Sequence, residues 1–195
     1  MRNSIKFLLI FLLLFLLNHS SVAQNTKIQI VTELGNIDLE LFCEEAPITT
    51  KNFLQYIDEN RLDSIYFYRI VRNDNQEKSP IKIQVIQAGL YEDDHPKMRP
   101  PISHESTKET GIKHLKGTIS MARYQPGTAT SEFFICLEDE PELDYGGIRN
   151  SDGAGFAAFG IVTKGMDIAK FIHQSPAEGQ NLKPQILIYS IRRMP

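Results

Sequence analysis

Apolar and polar residues alternate along several short stretches of the chain, as they do in a β-strand with one buried face. The first two stretches, KIQIVTEL and IDLELF, flank a turn at Gly35 and Asn36 and predict a β-hairpin. Six further runs, rich in β-branched and aromatic residues, are bounded by loops that contain Gly, Pro, Asn or Asp. We predict strands for these runs also, which are SIYFYRIV, IKIQVIQAGL, GTISMAR, EFFICL, FAAFGIV and QILIYSIRR.

Two segments repeat their apolar residues with the period of a helix instead. In EEAPITTKNFLQYIDENRL, Phe53, Leu54 and Ile57 recur at helical spacing, and Thr49 and Thr50 are candidates for the N-terminal cap. The second segment, GMDIAKFIHQ, lies between the last two predicted strands. Many short strands with two helices favour an all-β barrel or sandwich whose helices cover its ends.

Two of the predicted loops are long. The first, NDNQEKSP, covers residues 73–80, and the second, DYGGIRNSDGAG, covers residues 144–155. Loops of this length in a compact domain commonly carry or border a functional site. We therefore expect both loops to lie beside the site.

The N-terminus departs from the strand pattern. A charged start, MRNSIK, precedes the apolar run FLLIFLLLFLL, and the small residues SVA follow, ending at Ala23. This is the order of regions in a secretory signal peptide, and an apolar run of eleven residues is shorter than the roughly 20 that span a bilayer. We predict a signal peptide over residues 1–23 and one mature domain over residues 24–195. An uncleaved membrane anchor is the alternative.

Charge and cysteine content add little to this picture. The formal net charge of −3 gives no indication of nucleic acid or an anionic membrane as a partner. Export permits disulfides, and the chain has two cysteines, Cys43 and Cys136. They are either joined or buried as separate thiols, and we favour the separate thiols.

Motifs for covalent, nucleotide and metal chemistry are missing from the sequence. It contains no G-x-S-x-G motif, and its glycine-rich loop fits neither the dinucleotide nor the P-loop fingerprint. His95 stands beside Asp93 and Asp94, but these residues lie in a loop that contains prolines. A solvated turn explains them better than a metal site. The sequence therefore does not support a hydrolase, kinase or dehydrogenase, and we predict no metal.

One charged residue interrupts an apolar strand. In FYRIVR, strand alternation places Phe67, Arg69 and Val71 on one face and Tyr68 and Ile70 on the other. A permanently charged guanidinium on an apolar face is either a snorkelling or ion-paired side chain, or a functional one. The strand alone leaves both interpretations open.

Seven blocks of the sequence decide between them. They are TELGNIDLELF, EEAPITTKNFLQYI, FYRIV, VIQAG, GTISMAR, SEFFIC and FAAFGIVTKGMDIAKFI, and in this order they resemble the cyclophilin-type peptidyl-prolyl cis-trans isomerases over residues 27–193. The resemblance implies a mainly β fold, a closed eight-stranded antiparallel barrel capped by two α-helices. It also implies an enzyme that isomerises X-Pro bonds and needs no cofactor.

The implied chemistry explains the strand arginine. An X-Pro bond isomerises over a barrier of roughly 18 to 20 kcal/mol because the amide loses its conjugation as it twists. Catalysis needs a pocket for the proline ring and a fixed donor for the amide nitrogen, which becomes pyramidal and accepts a hydrogen bond. The resemblance assigns this donor to Arg69, whose guanidinium is rigid and always charged.

The resemblance also assigns substrate-binding residues, position by position. Gln87 matches the glutamine that orients the arginine, and Val85 stands where methionine is usual. Ala122 and Arg123 match a backbone stretch that pairs with an extended substrate, with Arg123 in place of the common asparagine.

A second set of assigned residues forms the pocket for the proline ring. Phe134 matches its aromatic floor, Leu143 its wall, and Phe156 stands where histidine or another aromatic ring is usual. Glu132 replaces a glutamine, and its carboxylate would either compete with substrate for Arg69 or hold the arginine in place.

We therefore expect an exported, bacterial-like peptidyl-prolyl isomerase that assists protein folding in the periplasm or after secretion. The alternative is a catalytically weak binding module or holdase with the same fold. The expected partners of the protein are proline-containing peptides and unfolded protein clients. We expect a monomer with no nucleic acid partner and no stable membrane insertion once the signal peptide is removed.

Overall fold

A computed structural model describes residues 25–195, so the predicted signal peptide over residues 1–23 lies outside the described part of the chain. Within the described part, no helix combines the length and the apolar character that a membrane span requires.

The described chain forms nine β-strands, and the eight predicted runs account for eight of them. The ninth is a two-residue strand, β8, that the sequence pattern did not indicate. The strands are β1 (Thr26–Thr32), β2 (Gly35–Leu41), β3 (Ile65–Val71), β4 (Val85–Gly89), β5 (Thr118–Met121), β6 (Phe133–Cys136), β7 (Ala157–Lys164), β8 (Ala177–Glu178) and β9 (Asn181–Arg193).

Eight strands close into a barrel. Their order is β1-β2-β7-β5-β6-β4-β3-β9, and β9 pairs back onto β1, with every pairing antiparallel. Strand β8 pairs with β9 alone and lies outside the closed circuit. The predicted closed eight-stranded antiparallel barrel is confirmed.

The interior of the barrel is filled by side chains of its strands, as expected for eight strands, together with Phe53 from a helix. Phe53 packs with its ring centroid 5.2 Å from those of Phe133 and Phe159, and Phe67 lies 6.2 Å from Phe133. All four rings are fully buried. Their contact supplies much of the apolar burial that stabilises the domain.

Between residues 25 and 195, three α-helices accompany the barrel: α1 (Pro47–Asp58), α2 (Thr107–Thr110) and α3 (Met166–Gln174). The two longer ones, α1 and α3, are the two predicted helices. Helix α1 begins two residues before Thr49, so the prediction of Thr49 and Thr50 as its caps is wrong. Proline suits the first helical turn because its missing N–H has no partner there in any helix.

A distant carboxylate satisfies the N-terminus of α1 instead. Glu105 accepts the backbone N–H groups of Ile48 at 3.0 Å and Thr49 at 2.6 Å, and also the Thr49 hydroxyl. The Thr50 hydroxyl donates back to the carbonyl of Ala46 at 2.8 Å. Sequence periodicity cannot reveal a cap that comes from another part of the chain.

Strand β3 contains a β-bulge, which changes the faces of its residues. Its pairings with both β4 and β9 shift register between Phe67 and Arg69, so Tyr68 is an extra residue. Phe67 and Ile70 belong to the barrel core, whereas Tyr68 and Arg69 line the groove described below and Val71 belongs to a second hydrophobic cluster. The predicted alternation, with Phe67 and Arg69 on one face, is therefore wrong.

Candidate functional site

An open groove of about 570 Å³ lies outside the barrel, along β3, β4 and β6 and the neighbouring loops. All nine residues predicted for the site line this groove, although several come from distant parts of the chain. They are Arg69, Val85, Gln87, Ala122, Arg123, Glu132, Phe134, Leu143 and Phe156.

One part of the groove is apolar and separate from the barrel core. Val71, Val85, Phe134 and Leu143 belong to a second hydrophobic cluster, and Phe156 packs against it. The Phe134 and Phe156 rings meet edge to face, with their centroids 5.4 Å apart. The result is a small recess with aromatic walls beside Arg69, of the kind that accepts an uncharged ring.

A buried row of polar residues supports the floor of this recess. His114 stacks on Phe134 and bonds to Asp144 through Nδ1 at 2.8 Å and to Ser120 through Nε2 at 2.9 Å. Ser120 has no exposed surface, so this Ser-His-Asp row cannot act as a nucleophile on a substrate in the groove. Burial lowers the pKa of His114, partly opposed by its bond to Asp144, and favours the neutral imidazole.

The guanidinium of Arg69 is held by two glutamines. Its Nε and Nη2 donate to Oε1 of Gln180 at 2.9 and 2.6 Å, and its Nη1 donates to Oε1 of Gln87 at 2.6 Å. A guanidinium has five N–H donors, so two of them make no hydrogen bond within residues 25–195. Arg69 thus presents free donors from a fixed position.

Gln180 is the site residue that sequence reasoning missed. It lies between β8 and β9, where β9 pairs Asn181 with Arg69. Its Nε2 donates to the carbonyl of Asn75 at 3.1 Å, and its own carbonyl accepts the N–H of Ile70 at 2.9 Å. No motif marks this glutamine, and its place beside Arg69 follows from the closure of the barrel.

The Glu132 carboxylate forms no ion pair with Arg69. It accepts the hydroxyl of Tyr68 in a short hydrogen bond and the N–H of Tyr91 at 2.8 Å. The Tyr68 hydroxyl in turn accepts Nε2 of Gln87 at 2.6 Å. A chain of hydrogen bonds therefore connects the carboxylate to Arg69 through a phenol and an amide, and neither predicted direct effect of Glu132 on the arginine is seen.

Burial sets the charges of this network. It raises the pKa of Tyr68, an effect that the neighbouring Glu132 increases, so the phenol stays a neutral donor. Burial also raises the pKa of Glu132 and lowers that of Arg69. An arginine begins so far above neutral pH that it remains charged.

Arg123 is bound by the second long loop. Its guanidinium pairs with Asp152 at 2.7 Å, donates through Nε to the Gly155 carbonyl at 2.9 Å and lies 5.1 Å from the centre of the Phe156 ring. The hydrogen bond from Arg123 lowers the pKa of Asp152 to about 2. Ala122 donates its N–H to the Glu132 carbonyl, but the N–H of Arg123 has no partner in the described chain.

The two long loops meet at the edge of the groove. Arg149 and Asn150 of the second loop line it, and Nη1 of Arg149 donates to the Ser79 hydroxyl at 2.6 Å and to the carbonyl of Ile81. The second loop therefore borders the groove, as its length predicted, and the first loop supports it.

The remaining candidates lie apart from this chemistry. His95 accepts the N–H of Lys97 at 3.1 Å within its own turn. No group of three or more His, Cys, Asp or Glu residues that could hold a metal ion occurs between residues 25 and 195. Cys43 and Cys136 are separate thiols, as favoured from the sequence, and burial raises the pKa of Cys136.

Comparisons with known proteins agree with this architecture. Residues 27–193 match the family model described as cyclophilin type peptidyl-prolyl cis-trans isomerase/CLD. A peptidyl-prolyl cis-trans isomerase of Acinetobacter baylyi is 33% identical over 78% of this chain and 74% of its own length. Peptidyl-prolyl cis-trans isomerase B of Escherichia coli is 33% identical over 70% of this chain and 77% of its own.

Solved structures show the same fold. The cyclophilin type peptidyl-prolyl cis-trans isomerase of Cryptosporidium parvum superimposes with a TM-score of 0.69 at 20% identity, over 88% of this chain and 99% of its own. A second structure of that protein, determined in the presence of the dipeptide Ala-Pro, gives a TM-score of 0.68 at 21% identity, over 87% of this chain and 99% of its own.

Proposed function

The chain belongs to the cyclophilin-type peptidyl-prolyl cis-trans isomerases, and from this premise we propose that it acts on X-Pro bonds of extended or unfolded polypeptides outside the cytoplasm. The observation that carries the proposal is the clamped guanidinium of Arg69 beside an apolar recess. Such a site offers a donor and a ring pocket in one groove, and both are open to a chain that lies along the surface.

The proposed role of Arg69 is to stabilise the twisted amide. As the X-Pro bond rotates, its nitrogen loses conjugation and gains a lone pair that accepts a hydrogen bond. Because Gln87 and Gln180 fix the guanidinium before the substrate arrives, little reorganisation is needed at the transition state. The planar ground-state amide nitrogen accepts no such bond, so the interaction favours the transition state selectively.

The proposed role of the recess is to hold the proline ring. Phe134 supplies its floor, Leu143 and Val85 its walls, and Phe156 its rim. When the ring is held, the residue before the proline can rotate about the X-Pro bond relative to a fixed partner. This is an orientation effect. The Ala-Pro dipeptide used with the Cryptosporidium parvum protein is the same kind of ligand. The free N–H of Arg123 suits pairing with the substrate backbone.

The proposed cellular role rests on the N-terminal sequence. Residues 1–23 have the order of regions of a signal peptide, which supports export and a role in folding in the periplasm or after secretion. Cell fractionation and N-terminal sequencing of the product test this. A mature protein that begins at Gln24 outside the cytoplasm supports export, and a cytoplasmic protein that retains Met1 would refute it.

A catalytically weak binding module is the second candidate. It is favoured by the Arg123 side chain, which is engaged by Asp152 where the family commonly has an asparagine. Exchange spectroscopy of a short X-Pro peptide by NMR separates the two functions. We expect the protein over residues 24–195 to accelerate cis-trans exchange at catalytic concentration. Peptide binding without acceleration would establish the binding module instead.

A further inference from the structure

Most arginines in the described part of the chain are paired with a carboxylate. Between residues 25 and 195 there are eight arginines, and six of them form ion pairs. The two that form none are Arg69 and Arg149, and both line the groove. Uncompensated cations at partly buried positions are costly, so their coincidence in one groove indicates a site for an anionic or strongly polar ligand.

Arg149 is held by one nitrogen and leaves the others available. Its Nη1 donates to Ser79 and Ile81, while Nε and Nη2 make no hydrogen bond to any described residue. An arginine that served only to join the two long loops would not need to reach the groove. A guanidinium fixed through one nitrogen keeps a pair of parallel donors, the geometry that a carboxylate accepts.

The surroundings of Arg149 add positive charge. Arg149 and Arg69 line the same groove, and burial followed by repulsion from Arg69 lowers the pKa of Arg149. Glu140 attracts Arg149 but forms no ion pair with it, and Oε1 of Glu140 accepts the N–H of Gln84 at 2.7 Å. The two carboxylates that line the groove, Asp93 and Glu132, form no ion pair with either arginine, and Glu132 binds Tyr68 and Tyr91.

There is room for a ligand side chain at this position. Arg149 also lines an adjoining trough of about 880 Å³, which runs between the long loops and the turn at Gly179. Two carboxylates line the trough: Asp74, which is paired with Arg72 at 3.3 Å, and Glu77, which stands beside Lys78 in the sequence. A side chain that extends from the groove into the trough would pass the free donors of Arg149.

We propose that Arg149 is a specificity-determining residue, which binds the carboxylate of an Asp or Glu close to the proline of the substrate. The inference rests on the proposed function, because it takes the groove as the place of the X-Pro segment. Arg149 acts on binding and Arg69 on the bond that rotates. The preferred clients are accordingly chain segments in which an acidic residue stands within two positions of a proline.

The test compares peptides that differ by one charge. Each peptide of a series carries Glu or Gln at one position, from two residues before the proline to two after it. Exchange NMR gives KM and kcat for the wild type, Arg149→Gln and Arg192→Gln. Arg192 lies near the far end of β9, paired with Asp63, so its replacement removes the same charge away from the groove.

At one or more positions, we expect Glu to lower KM by about twofold to fivefold relative to Gln, the upper part of the range for an exposed ion pair. Arg149→Gln should abolish this ratio, and Arg192→Gln should keep it. High salt should reduce it, because the pair is only partly shielded from solvent. Because the preference arises in binding, kcat should differ between the Glu and Gln peptides far less than KM does.

Two results would overturn the inference: a wild type with no preference for Glu at any position, or a preference that survives in Arg149→Gln. If the protein accelerates exchange in none of the peptides, the proposed function fails, and this outcome is distinct from a failure of the role of Arg149. NMR titration of the same peptides then gives the Glu to Gln ratio of Kd, and equal Kd values would overturn the role of Arg149 as well.

Discussion

The barrel interior and the groove share strands but differ in how their residues are held. In the interior, Phe53, Phe67 and Phe133 pack as fully buried rings. In the groove, Arg69 is fixed by hydrogen bonds to Gln87 and Gln180 and remains partly exposed. Apolar packing is non-directional and tolerates changes of shape, whereas a hydrogen-bonded donor works only from one position.

Strand β3 supplies both regions because of its bulge. Phe67 faces the core and Arg69 faces the groove, although a regular strand would put both on one side. The extra residue, Tyr68, bends the strand and joins the groove network through Gln87. Residues two positions apart therefore divide between stability and chemistry, and substitutions at the two positions should have opposite consequences.

The largest expected effect is on the core side of β3. Phe67→Ala should lower the free energy of unfolding by about 3 to 5 kcal/mol, because it removes a buried ring and leaves a cavity. Chemical denaturation measures this loss. The milder Phe67→Leu should lose less, and its folded molecules should keep isomerase activity. A Phe67→Ala protein as stable as the wild type would show that Phe67 does not belong to the stabilising core.

On the groove side, Gln180→Ala should lower kcat about tenfold. This factor corresponds to the free energy that one hydrogen bond to a charged group contributes. KM should change little, since Gln180 holds Arg69 from the side of Asn75. The NMR resonance of the Arg69 Nε–H should shift, which a purely structural role would not cause. Gln174→Ala, at the exposed end of α3, is the control and should match the wild type. An unchanged kcat in Gln180→Ala would remove Gln180 from the site.

The smallest effect is expected at Glu132. Glu132→Gln should leave kcat within about twofold of the wild type, because an amide oxygen can still accept the Tyr68 hydroxyl and Arg69 does not bind the carboxylate. Exchange NMR at neutral pH checks this. A tenfold loss would show that the negative charge acts on Arg69 through Tyr68 and Gln87.

Sequence reasoning predicted most of the fold and the membership of the groove. Alternation and turn residues indicated eight strands, and the ordered blocks indicated a closed barrel, both of which the structure has. These features are local or repeated along the chain, and so the sequence shows them directly. Eight of the nine predicted site residues stand in a recognisable block, and Leu143 lies between two of the blocks; all nine line one groove.

What the sequence did not predict depends on contacts between distant residues. The cap of α1 comes from Glu105, and the second clamp on Arg69 comes from Gln180, more than a hundred positions away in the chain. The bulge at Tyr68 depends on register with two neighbouring strands. Periodicity describes one strand at a time, so it placed Phe67 and Arg69 on the same face.

The central claim is that Arg69 stabilises the twisted X-Pro amide. Its most direct test is the rate of cis-trans exchange in a short X-Pro peptide, followed by NMR with wild type and Arg69→Ala side by side. We expect the variant to unfold at nearly the same denaturant concentration as the wild type and to catalyse exchange about 10² to 10³ more slowly. A folded Arg69→Ala protein with the wild-type rate would contradict the claim.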